Sequence, residues 1–180
     1  MDAAPRVEPL ALADAEAWAR FVGVERARTY AGIVQDGFGA AQLARVPDLV
    51  AEIVDETASG IGRYAVAWVG DEIVGAASST ATPMAWEAGL GFATVPATRA
   101  LDTLYVAPSQ HGSGLADRLL ALVLDDAATT LWLITGNERA RRFYERRGFV
   151  LWGDEVSTGE TWNHVPMRRM LRAESPAARG

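Results

Sequence analysis

The chain has 180 residues, a hydrophobic share of 49% and a formal net charge of −6, a length that supports about one domain with a real core. It has no cysteine and two histidines far apart, His111 and His164, which excludes disulfides, thiolate chemistry and a histidine-rich metal motif. All 17 cationic side chains are arginines, so a lysine Schiff base and a Walker-type loop lysine are excluded, and the pI of 4.9 argues against a general polyanion binder such as a nucleic-acid protein.

No apolar run approaches the roughly 20 residues of a membrane span, and the start Met1–Arg6 does not read as a signal peptide, so the expectation is a cytoplasmic protein with no membrane contact. A short strand is expected over Arg6–Ala11. A helix follows from Asp14 as N-cap, with Trp18, Phe21, Val22 and Val24 stepping along one side, and fades near Tyr30–Gly32. Gly32, Gly37 and Gly39 break the pattern before a second helix, Asp48–Glu56, entered at Pro47.

Tyr64–Val69 and Glu72–Ser79 read as strands joined at Gly70-Asp71, a hairpin signal. The connector from Thr80 to Arg99 is long enough to expect a function for it, and its Met84, Trp86, Leu90, Phe92 and Val95 imply packing. The next strand, Leu101–Val106, leads through Pro108 and His111-Gly112-Ser113-Gly114 into an amphipathic helix, Leu115–Ala127. Thr130–Thr135 reads as a buried strand, and Asn137 as the N-cap of a short helix, Glu138–Arg147, closed by Gly148. Phe149–Trp152 and His164–Leu171 complete the sheet. A strand, crossover helix and strand over 101–135 predict one parallel pair, and the flanking hairpins predict antiparallel partners. The expected fold class is therefore α/β (α+β), a mixed, mostly antiparallel twisted sheet with helices on both faces, in one domain over 1–180 with a polar tail at 173–180.

The turn from Val106 to Ala116 is chemically the most informative. Its small residues leave peptide N–H groups unpaired beside a helix N-terminus, where Gly112 and Gly114 let an anion approach. It lacks the Gly-Lys-Ser/Thr of a P-loop and the three-glycine spacing of a dinucleotide fold.

Leu101–Pro108 with His111–Ala116 resembles motif A of the GNAT family of N-acetyltransferases, Gln/Arg-x-x-Gly-x-Gly/Ala, with Gly114 and Ala116 on the small positions and His111 where Gln or Arg is usual. Thr135–Phe149 is similar to the family's motif B, and the likeness covers about residues 60–171. The resemblance implies an acetyl-CoA-dependent N-acetyltransferase that moves an acetyl group to a primary amine of a small molecule or peptide by direct attack on the thioester. The alternative is a non-catalytic acyl-CoA-binding sensor or partner module. It implies acetyl-CoA as co-substrate, no metal, and room for a homodimer.

By the same resemblance, the pyrophosphate sits on the amides of His111, Gly112, Ser113, Gly114, Leu115 and Ala116. The pantetheine arm pairs with Leu104, Tyr105 and Val106, where a bulge near Val106 frees an oxyanion donor. Asn137 contacts the arm, and Arg142 is the arginine taken to reach the 3′-phosphate. Tyr144 is the implied acid for the leaving thiolate, being protonated at neutral pH with an ordinary pKa of about 10. Asp102 and Glu87 are the candidate general bases, Ala100 being empty of the acid often found there. The connector and the N-terminal helices are expected to wall the acceptor pocket, with Trp86, Phe92 and Tyr30 apolar and Glu87 an anchor for an ammonium group.

Overall fold

Arg63–Val69 (β2) and Glu72–Ala81 (β3) form the central hairpin, turned at Gly70 with φ +58°. They alternate faces as a half-buried strand must, so Ala65 and Ala67 enter one core while Val66 enters the other. In this computed structural model, which describes residues 4–87 and 90–175, they belong to a seven-stranded sheet. The other strands are Arg6–Pro9 (β1), Arg99–Val106 (β4), Thr129–Ile134 (β5), Val150–Ser157 (β6) and Pro166–Arg172 (β7), in the order β1-β2-β3-β4-β5-β7-β6. Neighbours run antiparallel except β4 and β5. The mixed, mostly antiparallel sheet and its one parallel pair match the reading of the sequence.

Ala15–Thr29 (α1) and Val46–Ser59 (α3) cover one face. Trp18, Val22 and Ile53 bury themselves on Val66, Ile73 and Ala76, and the Trp18 indole donates to the Ala65 carbonyl at 2.9 Å. Leu115–Val123 (α4) covers the other, with Leu115, Leu119 and Val123 packed on Ala67, Val74 and Leu101. Gly75 makes this approach possible, since a Cβ there would stand 2.8 Å from Leu119 Cδ1. Helix Glu138–Glu145 (α5) joins this second core through Ala140, Phe143 and Tyr144.

Several elements depart from expectation. A helix over Phe38–Ala44 (α2) stands where glycines suggest a break: Gly37, at φ +85°, starts it, and Gly39 lets it approach Ala27 of α1. Asp14 makes no capping hydrogen bond, because a 3-10 turn over Leu12–Asp14 precedes α1. The second predicted helix is longer at both ends. Helix α4 stops at Val123, four residues early, where the buried Ser79 hydroxyl donates to the Val123 carbonyl at 2.5 Å and the Asp125 carboxylate accepts the Ala127 N–H. Of the polar tail, residues 176–180 lie outside the described residues, as do residues 1–3 and the connector's Gly89.

The sheet is open at one place. β4 pairs with β5 over three residues, Arg99↔Thr129, Ala100↔Thr130 and Leu101↔Leu131, whereas β5 stays paired to β7 along its whole length and β4 stays paired to β3 up to Gly75↔Val106. Residues 102–106 and 132–134 therefore diverge as the two arms of a wedge. The bulge in β4 is at Asp102, skipped between Ser78↔Thr103 and Ser79↔Leu101, and not near Val106 as the resemblance implies. It lies four residues earlier because that is where the strand must twist away from β5. Among the described residues no helix is long and apolar enough to cross a membrane.

Candidate active site

In the loop before α4, Gly112 and Gly114 have φ +82° and +80°, with open space where a Cβ would project. Both conformations disfavour an L side chain. The loop's other amides are partly occupied: His111 N–H donates to Pro108 O, Ser113 N–H to Gln110 O, and Leu115 N–H makes a long 3.3 Å contact with Ser113 Oγ. The N–H groups of Gly112, Gly114 and Ala116 have no acceptor among the described residues. Three free donors around two left-handed glycines, at the start of a nine-residue helix, form an anion cradle.

The β4 arm of the wedge carries Leu104, Tyr105 and Val106, all half-buried. Ala107 N–H donates to Val74 O of β3 at 2.9 Å. Successive amides alternate sides along a strand, so the N–H groups of Val106 and Leu104 face the wedge, where no strand answers them. The exposed His111 ring turns back to this edge, its Nε2 3.0 Å from the Val106 carbonyl oxygen. A cleft of 410 Å³ opens here between Val106, His111, Gly136, Asn137 and Arg139 on one side and Tyr30 on the other. Asn137 caps α5, its Oδ1 accepting the Ala140 N–H at 3.1 Å, and also lines this cleft. Its two readings, cap and contact, are compatible.

A second cavity, of 510 Å³, lies across the wedge. Tyr30, at the C-terminal cap of α1, lines both. Three carboxylates line the second cavity, those of Glu52 and Glu56 of α3 and of Asp102 of β4. Asp102 is exposed to it and accepts from Thr103 Oγ1 at 3.0 Å, with Ser78 Oγ at 3.5 Å. Glu56 accepts from Tyr64 OH at 2.6 Å and Thr80 Oγ1 at 2.9 Å. Burial holds the Glu52 carboxyl above its ordinary range and nearby Asp102, Glu56 and Asp48 add to the rise, which Arg45 only partly opposes. The wall also carries Trp86, Phe92 and Trp132, a cluster of centroids 5.2–6.1 Å apart.

Hydroxyls gather where the two spaces meet. Arg26 Nε donates to Tyr105 OH at 3.4 Å and its Nη1 to Gln42 at 3.2 Å. Tyr30 is pushed well up by burial and then by the neighbouring Tyr105 and Tyr144. Tyr144 is half-buried, its ring edge-on to Phe143 and Phe149 at 5.2 and 5.6 Å. Its hydroxyl makes no hydrogen bond among the described residues yet is not sealed from solvent. Burial, with Tyr105 beside it, raises its pKa beyond the ordinary phenol, so it is a proton donor at any physiological pH.

Two expectations from the sequence need correction or sorting. Glu87 does not face the cavity as an anchor or a free base. It is 5% exposed, with Oε1 accepting from Arg169 Nη2 at 2.5 Å and Trp132 Nε1 at 2.8 Å, and Oε2 accepting the Met84 N–H at 2.7 Å. Its carboxylate ties the connector to β7 and β5, and its charge is spent on Arg169. Of the arginines on and beyond α5, Arg147 pairs with Asp117 and lies over the Phe143 ring, and Arg141 pairs with Glu138 and Glu145. The exposed Arg142 has no ion pair among the described residues and is free for a phosphate. Glu52, Glu56, Tyr64, Trp132 and Trp162 also line the cavity, and sequence reasoning misses them. Glu52 and Glu56, four apart on a helix, are the detectable pair; the rest carry no local signal. No three His, Asp or Glu side chains among the described residues converge on a metal site.

A model of the acetyltransferase (GNAT) family matches residues 33–149. No curated protein matches the sequence. Solved structures similar in fold include a PaiA N-acetyltransferase from Thermoplasma acidophilum in complex with coenzyme A, at 15% identity over 96% of this chain and 100% of that one, TM-score 0.65. They also include a histone acetyltransferase HPA2 and related acetyltransferase from Corynebacterium glutamicum, at 23% identity over 97% and 98%, TM-score 0.62, and an acetyltransferase from Thermus thermophilus, at 17% over 96% and 99%, TM-score 0.60.

Proposed function

We propose that this chain, which belongs to the acetyltransferase (GNAT) family, moves an acetyl group from acetyl-CoA to a primary amine of a small molecule or peptide by direct attack of the amine on the thioester. The observation that carries the reading is the wedge between β4 and β5. It joins the anion cradle and the 410 Å³ cleft to a separate carboxylate-lined cavity, with Tyr30 on the boundary of both. A reaction between two bound substrates needs such paired spaces meeting at one point.

The residues fit coenzyme A. The free amides of Gly112, Gly114 and Ala116 would hold the pyrophosphate, while the His111 and Ser113 amides, engaged inside the loop, and the Leu115 amide, in long contact with Ser113 Oγ, keep the loop in shape. Leu104, Tyr105 and Val106 would give the pantetheine arm a strand edge, Asn137 would reach the arm from α5, and Arg142 would meet the 3′-phosphate. When bound, acetyl-CoA supplies an electrophilic thioester carbonyl and a thiol leaving group.

The chain's own groups do the rest. Val106 N–H points into the wedge and donates toward the carbonyl oxygen as negative charge grows there. Asp102, exposed to the acceptor cavity at the head of the wedge, takes the proton from the attacking amine. Tyr144 holds its proton at Oη and gives it to the departing sulfur; its raised pKa keeps it loaded for that step. Glu87 has no part in proton transfer: it is buried, and both its oxygens already accept inside the protein, from Arg169 and Trp132 on one and the Met84 N–H on the other.

Thiol release from acetyl-CoA over a panel of amines, with the acetylated product identified by mass, tests the proposal, and calorimetry with coenzyme A accompanies it. Coenzyme A binding together with amine-dependent thiol release supports it. Binding with no thiol release for any amine replaces it with the acyl-CoA-binding module.

A further inference from the structure

The acceptor cavity has two kinds of lining. Its carboxylates lie together: Glu52 and Glu56 stand one turn apart on α3, and neighbouring positions of β3 reach two of the three, Thr80 Oγ1 to Glu56 at 2.9 Å and Ser78 Oγ to Asp102 at 3.5 Å. Against them stand Arg26 and Arg45. Arg26 already donates to Tyr105 and Gln42. Three carboxylates and two guanidiniums line the cavity, so its wall carries an excess of one negative charge, suited to one ammonium group; Arg99, outside the lining, also faces Glu56 but donates to the Ile61 carbonyl and Ser79.

The aromatic part of the wall is of another kind. Trp86, Phe92 and Trp132 make a mutual ring cluster in which Trp86 remains 45% exposed, and Leu90 beside it 56% exposed. Such surface is costly to leave wet and is ready to stack on a flat apolar body. The Arg169 guanidinium lies 4.4 Å from the Trp132 centroid, and its charge is cancelled by Glu87 at 2.5 Å. The aromatic part is therefore electrically neutral. A linear polyamine, cationic along its length, would find no counter-charge there. A lysyl side chain on a peptide would leave the rings unfilled.

Resting on the acetyltransferase reading, we propose that the acceptor is an arylalkyl amine, its single ammonium held by Glu52, Glu56 and Asp102 and its ring stacked among Trp86, Phe92 and Trp132. The cavity volume of 510 Å³ suits a ligand of that class.

The test is calorimetry on the whole protein without acetyl-CoA, using tryptamine, n-butylamine, spermidine and the neutral indole ethanol as probes. Tryptamine should bind about tenfold or more tighter than n-butylamine, spermidine or the alcohol. Trp86→Ala should remove the ring preference, bringing tryptamine within about threefold of n-butylamine while leaving n-butylamine unchanged. Glu52→Gln should weaken both amines several-fold and leave the alcohol alone. Coenzyme A titration of each variant verifies that it is folded. Spermidine binding tighter than tryptamine overturns the proposal, as does n-butylamine within about threefold of tryptamine on the unaltered protein. Because no thioester is present, the two readings fail separately: tryptamine preference without thiol release removes only the acetyltransferase reading, and thiol release with amines bound indifferently removes only this one.

Discussion

Replacing Glu87 with alanine removes the acceptor for Arg169 Nη2, Trp132 Nε1 and the Met84 N–H at once. It leaves Arg169, 4% exposed, with an uncompensated charge against Trp132, Trp152 and Phe92. Breaking one side of a buried pair costs about 3–5 kcal/mol. At roughly 2–4 °C per kcal/mol for a domain of this size, Tm should fall by about 6–20 °C. Glu87→Leu with Arg169→Met removes both charges and should recover most of that loss, because the penalty is that of an orphaned ion rather than of a missing attraction. Differential scanning calorimetry on the two variants, with kcat measured well below the lowered Tm, separates the roles. The reasoning fails if Glu87→Ala melts within about 2 °C of the unaltered protein while kcat drops about a thousandfold; that pattern belongs to a catalytic base with no structural duty.

Tyr144→Phe keeps the ring contacts at 5.2 and 5.6 Å and loses no hydrogen bond, so Tm should stay within about 2 °C. Loss of the general acid should lower kcat by roughly 10²–10⁴-fold with the acetyl-CoA KM nearly unchanged, as steady-state kinetics would show. For Glu52, the raised pKa means the folded protein holds its proton more tightly than the unfolded chain does, so stability falls as pH rises from the unfolded value of about 4.3 through the folded one. Glu52→Gln should therefore be neutral or stabilising at pH 7, and urea titrations should find that advantage gone below about pH 4.

The strands are legible because their apolar runs are bounded by turns: the hairpin at Gly70 and the crossover through α4 fall where alternation and glycine put them. So does the cradle, since two glycines at a strand-to-helix turn mark a backbone feature. Helix α2 is not legible. Its glycines oppose helix formation locally, and what overrides them is the burial of Phe38 against Trp162, 124 residues away in sequence at 4.9 Å. Glu87 misleads for a similar reason: a lone carboxylate in a connector gives no hint that Arg169, 82 residues on, will claim it. Tyr30, expected on the pocket wall, is found there, whereas Trp132 carries no local pattern, and only the wedge between β4 and β5 brings it to the same cavity.

An amide nitrogen–proton NMR titration with coenzyme A reaches the heart of the account. The Gly112, Gly114 and Ala116 resonances should move most, with Val106 following, and Gly114→Ala should abolish those shifts, because an L side chain is strained at φ +80° and would displace the backbone that aims these amides. Coenzyme A binding that leaves these three amides unmoved would mean that the loop before α4 does not hold the diphosphate.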